Sequence, residues 1–197
     1  MKKFFVFIAA LLLLITAANF TYIYISADQD TAKPAAEKTE ADQYKYPEFY
    51  RGIYLNVASA RNMDKLKSFV ELATESGINS FVLDVQGSSY KKSIVPDENV
   101  KYCIDNGIHP IARIVIFPDG LKHWPVSEAY IKEKLDIAES ACKNGFKEIQ
   151  FDYIRFDDSS RNRHLTNAQR YKFIEDFIIR ARNKLEPYNV KIAADVF

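Results

Sequence analysis

Residues 146–156 constrain this chain most, because they read as a buried strand that carries an acid. Ile149, Phe151 and Tyr153 fall on one parity and Gln150 and Asp152 on the other, so the two-residue period of a strand sends the two sets to opposite faces. An ionised carboxylate inside a fold costs several kcal/mol unless it is paired. Asp152 therefore marks either a structural ion pair or a working site.

The same device recurs. Segments 52–57, 80–86, 109–117, 148–155 and 190–197 each carry one apolar parity: Ile53, Leu55 and Val57; Phe81, Leu83 and Val85; Ala112, Ile114 and Ile116; Ile149, Phe151 and Tyr153; Ile192, Ala194 and Val196. The other parity holds Tyr54 and Asn56, Asp84 and Gln86, Arg113, Gln150 and Asp152, and Asp195. Helical patterns fill the gaps. Residues 63–76 present Leu66, Phe69, Val70 and Ala73 before Gly77, residues 127–143 present Ile131, Leu135, Ala138 and Cys142 before Gly145, and residues 166–185 stop before Pro187; a shorter helix is expected over 100–106. Strands alternating with helices predict right-handed βαβ units and a parallel sheet in the order 1-2-3-4-5. Curled into a barrel, that sheet turns its apolar parity to the helices and its polar parity to the axis.

Length sets the extent. About 150 residues follow position 47, enough for one domain but short of the roughly 200 or more of an eight-stranded barrel. The fold class expected is therefore α/β, a partial (β/α)8 barrel with about five strands. Its last strand runs to Phe197, which reads as a barrel truncated after the fifth strand, with an exposed edge.

Ahead of the domain, Lys2 and Lys3 precede an apolar run from Phe4 to Ile15 that continues through Phe20, Tyr22, Tyr24 and Ile25. Residues 1–27 are expected to be a signal peptide or, uncleaved, a membrane anchor with the domain outside the cytoplasmic membrane. Residues 28–47, rich in Ala, Lys, Glu, Asp and Thr, read as a hydrophilic linker, and 48–197 as the barrel domain. Beyond Ala27, 25 basic residues face 26 acidic ones. That balance, with no basic stripe interleaved with aromatics, argues against nucleic acid as a partner. Cys103 and Cys142 have no metal-site spacing and read as two inert buried thiols.

Sites in parallel α/β folds lie at the C-terminal ends of strands, where Asp84, Arg113, Asp152 and Asp195 are expected to converge, with Arg155 opening the next loop. Two readings of that cluster stay open. Arg113 neutralises Asp84 or Asp152 as a structural pair, or the acids exceed what one arginine compensates and carry a function. Paired carboxylates suit glycoside hydrolysis, one ionised at the anomeric carbon and the other donating a proton. A separation of about 5 to 5.5 Å would retain configuration and about 6.5 to 9.5 Å would invert it. Tyr54, Tyr153, Phe117, Phe156 and Trp124 are candidates to stack on sugar rings. His109 sits at the far end of its strand and His123 and His164 in loops, so no histidine metal site is expected. There is no nucleophile elbow, dinucleotide fingerprint or P-loop, and neither a metal nor a cofactor is expected.

Arg51-Gly52-Ile53-Tyr54, Phe81-Val82-Leu83-Asp84-Val85, Ile111-Ala112-Arg113-Ile114-Val115, the run from Glu148 to Phe156, and Ala194-Asp195-Val196-Phe197 together resemble the glycoside-hydrolase-like TIM-barrel domain family of bacterial envelope proteins, distantly similar to α-amylase-type barrels. The resemblance covers about 48–197 and is most specific from Gln150 to Phe156. It implies a secreted or envelope-anchored protein with a carbohydrate substrate or ligand, held at the membrane through its N-terminal segment where that is uncleaved. It also implies Asp152 as nucleophile or charge stabiliser and Asp195 as a candidate proton donor; Tyr54, Asn56, Asp84, Arg113 and Arg155, at the same mouth, are the candidates to bind substrate. Amylase-type enzymes differ in carrying Glu on strand five and an Arg where this chain has Gln150. The alternative is a non-catalytic, envelope-anchored sugar-binding or interaction module, or an inactive fragment.

Overall fold

The computed structural model describes residues 44–86, 92–118, 120–122, 124–157 and 162–195; the N-terminal leader and most of the linker lie outside them. Five strands, β1 (Gly52–Leu55), β2 (Ser80–Asp84), β3 (His109–Val115), β4 (Glu148–Asp152) and β5 (Lys191–Ala194), pair in parallel in sequence order. Helices α1 (Val57–Arg61), α2 (Met63–Glu75), α3 (Asp97–Asp105), α4 (Glu128–Lys143) and α5 (Asn167–Leu185) form the crossovers. This is the parallel five-stranded half-barrel that the alternating segments predict.

The parity rule decides the layers. Leu55, Phe81, Leu83, Ala112, Ile114, Ile149 and Phe151 are buried against Leu66, Val70 and Ala73 of α2, Leu135 and Ala138 of α4, and Phe177 and Ala181 of α5. Each large side chain removed from water in this layer contributes about 1.5–3 kcal/mol. The Phe151 and Phe177 rings meet edge-on, centroids 5.2 Å apart, which fixes α5 over β4. Cys103 and Cys142 are free and buried in the helix layer, and burial pushes both thiols up to about 12, so they are inert as read.

Caps place the helices where the sequence puts them. Ser127 accepts from the Tyr130 amide and starts α4, while Thr166 and Gln169 form a reciprocal capping box on α5. At the end of α4, Gly145 adopts a φ of +95°, and the Phe146 amide bonds back to the Ala141 carbonyl, reversing the chain directly into β4.

The strands are shorter than expected at their C-terminal ends. Asn56 leaves the sheet to cap α1, accepting from Ser59 N–H at 3.0 Å, so Val57 is helical rather than strand. β4 stops at Asp152, where Tyr153 turns to a φ of +54°. β5 is described to Ala194, and Val196 and Phe197 lie outside the described residues.

The N-terminal mouth of the sheet is sealed. The described residues begin at Tyr44, inside the segment read as linker, and residues 44–50 cross beneath the strands. Tyr44 Oη shares a 2.8 Å hydrogen bond with His109 Nδ1, Tyr46 donates to the carbonyls of Lys147 and Asn189, and Tyr50 donates to Glu148 at 3.0 Å. His109 Nε2 lies 3.1 Å from Glu148, and Lys191 stands 4.2 Å over the Tyr46 ring. Buried polar groups on the inner side of the sheet thus find partners in the crossing segment.

Burial alone would raise the Glu148 pKa, but the His109 and Tyr50 hydrogen bonds outweigh it and hold the carboxyl below its ordinary 4.5. A depressed acid stabilises the fold above its unfolded value and loses that contribution as pH falls through the folded one. Glu148→Gln is therefore expected to lower the melting temperature at pH 7, with the gap to the wild type narrowing as pH drops below about 4.5. A pH series of thermal melts on both proteins checks this; a constant gap would contradict it.

Candidate active site

At the other mouth the polar parity meets. Register pairs Asp84 with Arg113, Arg113 with Gln150, and Val115 with Asp152, which places Asp152 one pleat further out than Arg113. Arg113 spans the gap. Its Nη1 reaches Asp84 Oδ1 at 2.6 Å, its Nε reaches Asp152 Oδ2 at 2.8 Å, and its Nη2 reaches the same oxygen at 2.5 Å. The side chains are 18% exposed for Arg113, 21% for Asp84 and 8% for Asp152, so the pairing is screened little. Burial pulls the Arg113 pKa down, yet the hydrogen bonds it donates to the two aspartates raise it overall.

Two further contacts extend the cluster. Tyr54 donates its hydroxyl to Asp84 Oδ2, and its ring lies 5.4 Å from the Arg113 guanidinium. Burial, and then Asp84, push the Tyr54 phenol up to about 12, so it stays a donor at neutral pH. One strand along, Gln150 Nε2 donates to both oxygens of Asp195 at 3.1 Å, and Asp195 N–H bonds to the Phe151 carbonyl just past β5. Gln150 Oε1 is buried with no hydrogen-bond partner among the described residues.

The structure thus brings together Tyr54, Asp84, Arg113 and Asp152, with Gln150 and Asp195 alongside. Asn56 is not in the network; its side-chain oxygen is taken by the α1 cap. Arg155 is half-buried in the loop after β4, where its carbonyl accepts from Leu121 N–H at 2.7 Å. Asp157 N–H bonds in turn to the Leu121 carbonyl, so this loop and the one after β3 are laced together. Gly120 lies so close that a Cβ there would stand 2.9 Å from Asp157 Cα.

Of the aromatics expected at the rim, Phe117 and Phe156 are 5% and 9% exposed and belong to the core. Phe117 stacks on Tyr130, and Phe156 packs edge-on against Phe173. Loop lacing folds them inward, which strand parity alone does not reveal. Tyr54 and Trp124 remain exposed, at 52% and 36%. His164 is exposed and His123 lies outside the described residues. No group of three or more His, Cys, Asp or Glu is placed to hold a metal among the described residues.

Chemically, the cluster holds three carboxylates against one guanidinium. Asp84 and Asp152 are tied by charge-assisted bonds, whereas Asp195 is tied by a neutral amide. Removing the cation isolates two acids of low exposure. Arg113→Met is expected to cost about 3 kcal/mol of unfolding free energy, and adding Asp84→Asn with Asp152→Asn is expected to recover part of it, as read by denaturant titration.

Comparison with known proteins follows this geometry. Residues 123–197 match a family described as "Putative glycosyl hydrolase domain", a span that includes Asp152 and Asp195. No curated protein matches. Among solved structures, a hypothetical protein from Ruminiclostridium thermocellum aligns at 26% identity and a TM-score of 0.58, covering 74% of this chain and 97% of that one. An O-GlcNAc hydrolase mutant from Thermobaculum terrenum aligns at 16% identity and a TM-score of 0.51, over 74% of this chain and 34% of its own. Mannonate dehydratase from Streptococcus suis aligns at 13% and 0.51, over 75% and 53%. The last two share the fold alone, and this chain spans about a third and about half of their lengths. In strand order and layering the described domain is a parallel α/β half-barrel like those of these structures, and its residues 123–197 are similar to the glycosyl hydrolase family model.

Proposed function

We propose that the domain hydrolyses glycosidic bonds in a polysaccharide, with Asp152 as the ionised acid facing the anomeric carbon and Asp195 as the proton donor. The observation that carries this reading is the contrast in how the two acids are held. Asp152 is gripped by Arg113 and by a backbone N–H, while Asp195 is oriented by the neutral Gln150 side chain, so two carboxyl groups stand at one mouth in different surroundings, the arrangement a hydrolytic pair uses. Tyr54, exposed and levelled over Arg113, supplies a face for a sugar ring, with Asn56, Asp84 and Arg155 as further polar contacts. Support also comes from the family match over 123–197 and from the O-GlcNAc hydrolase among the fold neighbours. Residues 1–27 would deliver the domain outside the cytoplasmic membrane, secreted or envelope-anchored.

A second reading has one observation in its favour. Asp84 and Asp152 share a single arginine, which also describes a structural ion cluster beneath a non-catalytic sugar-binding surface. Asp152→Asn separates the two. Under the catalytic reading, sugar release per folded molecule falls about a thousandfold, the equivalent of about 4 kcal/mol of transition-state stabilisation, beyond the stability lost with the Arg113 pairing. Under the structural reading the wild type releases no reducing sugar, and the substitution lowers only the melting temperature. Reducing-sugar release from a panel of polysaccharides, measured with melts on the same preparations, decides between them.

A further inference from the structure

Tyr153 follows Asp152 at the point where β4 ends, and its φ of +54° lies in the left-handed region, which disfavours a non-glycine residue. Such a conformation persists only where its surroundings over-determine it, and here they do. The peptide leaving Asp152 is turned so that Tyr153 N–H meets Asp152 Oδ1 at 2.7 Å instead of a carbonyl of the strand ladder. Having left the ladder, the chain recovers direction at once through the positive φ. It buries Ile154 completely and offers the Arg155 carbonyl to Leu121. With Arg113 on Oδ2, both oxygens of Asp152 are held, and the residue is 5% exposed.

We propose that Tyr153 is a positioning residue, whose left-handed backbone fixes the Asp152 carboxylate for the reaction proposed above. The inference rests on the hydrolase reading for its consequence and on geometry for its cause. The backbone, not the phenol, is the working part: residues that accept positive φ should replace Tyr153, and those that reject it should not. Glycine has no Cβ to clash and asparagine enters this region readily, whereas β-branched valine resists it.

The test compares Tyr153→Gly, Tyr153→Asn and Tyr153→Val in the full chain with 4-nitrophenyl glycosides as probes. Displacement of the reacting carboxylate by about 1 Å costs about a hundredfold, so the valine variant is expected to lose that much in kcat with KM nearly unchanged. The glycine and asparagine variants are expected to keep well over ten times the kcat of the valine variant, whatever the loss of the ring does to KM. A valine variant with wild-type kcat, or glycine and asparagine variants that fall as far as valine, would overturn the proposal. A second measurement needs no substrate. The Tyr153 amide proton in ¹H–¹⁵N spectra is expected to move upfield in Asp152→Asn, and an unmoved resonance would also overturn the proposal. If the wild type cleaves none of the probes while the amide resonance shifts as expected, the hydrolase reading fails and the positioning of Asp152 stands.

Discussion

Everything at the open mouth depends on one guanidinium. Arg113 stands near the middle of the central strand and reaches acids on both neighbours, so β2, β3 and β4 are tied across their inner side as well as through their backbones. Without it, two carboxylates of low exposure would face each other in a partly desolvated cleft, a cost no packing in the helix layer offsets. With it, both acids are paired across the strands, and Asp195 stands beside them with its two oxygens taken by the Gln150 amide.

The two ends of the same sheet are built to opposite ends. At the N-terminal mouth, Tyr44, Tyr46 and Tyr50 satisfy His109, Glu148 and the carbonyls before β4 and β5. Each is an aromatic body with one polar tip, suited to closing a hole lined by both kinds of surface. At the C-terminal mouth the corresponding aromatic, Tyr54, stays half in solvent and spends its hydroxyl on Asp84. The C-terminal mouth is the end where βα-folds carry their chemistry.

Much of this was legible in the residues. Parity along five segments gives the sheet, its order and the face of every acid, because a period of two admits no other arrangement in a half-buried strand. Arg113 between Asp84 and Asp152 follows from the same parity. What escaped is what local pattern does not encode. Asn56 looks like the next inward position of β1 but serves α1, since capping competes with the ladder for the same residue. The Gln150–Asp195 contact joins residues 45 apart and depends on the stagger of neighbouring strands, which composition does not set. Phe117 and Phe156 read as rim residues until the loops that carry them bond to each other through Leu121. The crossing segment at Tyr44–Tyr50 has a linker's composition just before it, and only its partners beneath the sheet reveal it as part of the domain.

Fold likeness by itself leaves the reaction open, since the same half-barrel aligns with a hydrolase and with a dehydratase at equal TM-score. The weight therefore falls on how the acids are held. Asp152 is held by a guanidinium and a backbone amide, three donors on its two oxygens. Asp195 is held by one side-chain amide that reaches both of its oxygens. The second acid, outside the Arg113 pairing, is what sets this cluster apart from a salt bridge that merely closes a sheet. Gln150 is in that sense as informative as Asp152, for it stands where an arginine would have bound Asp195 as firmly as Arg113 binds its neighbours.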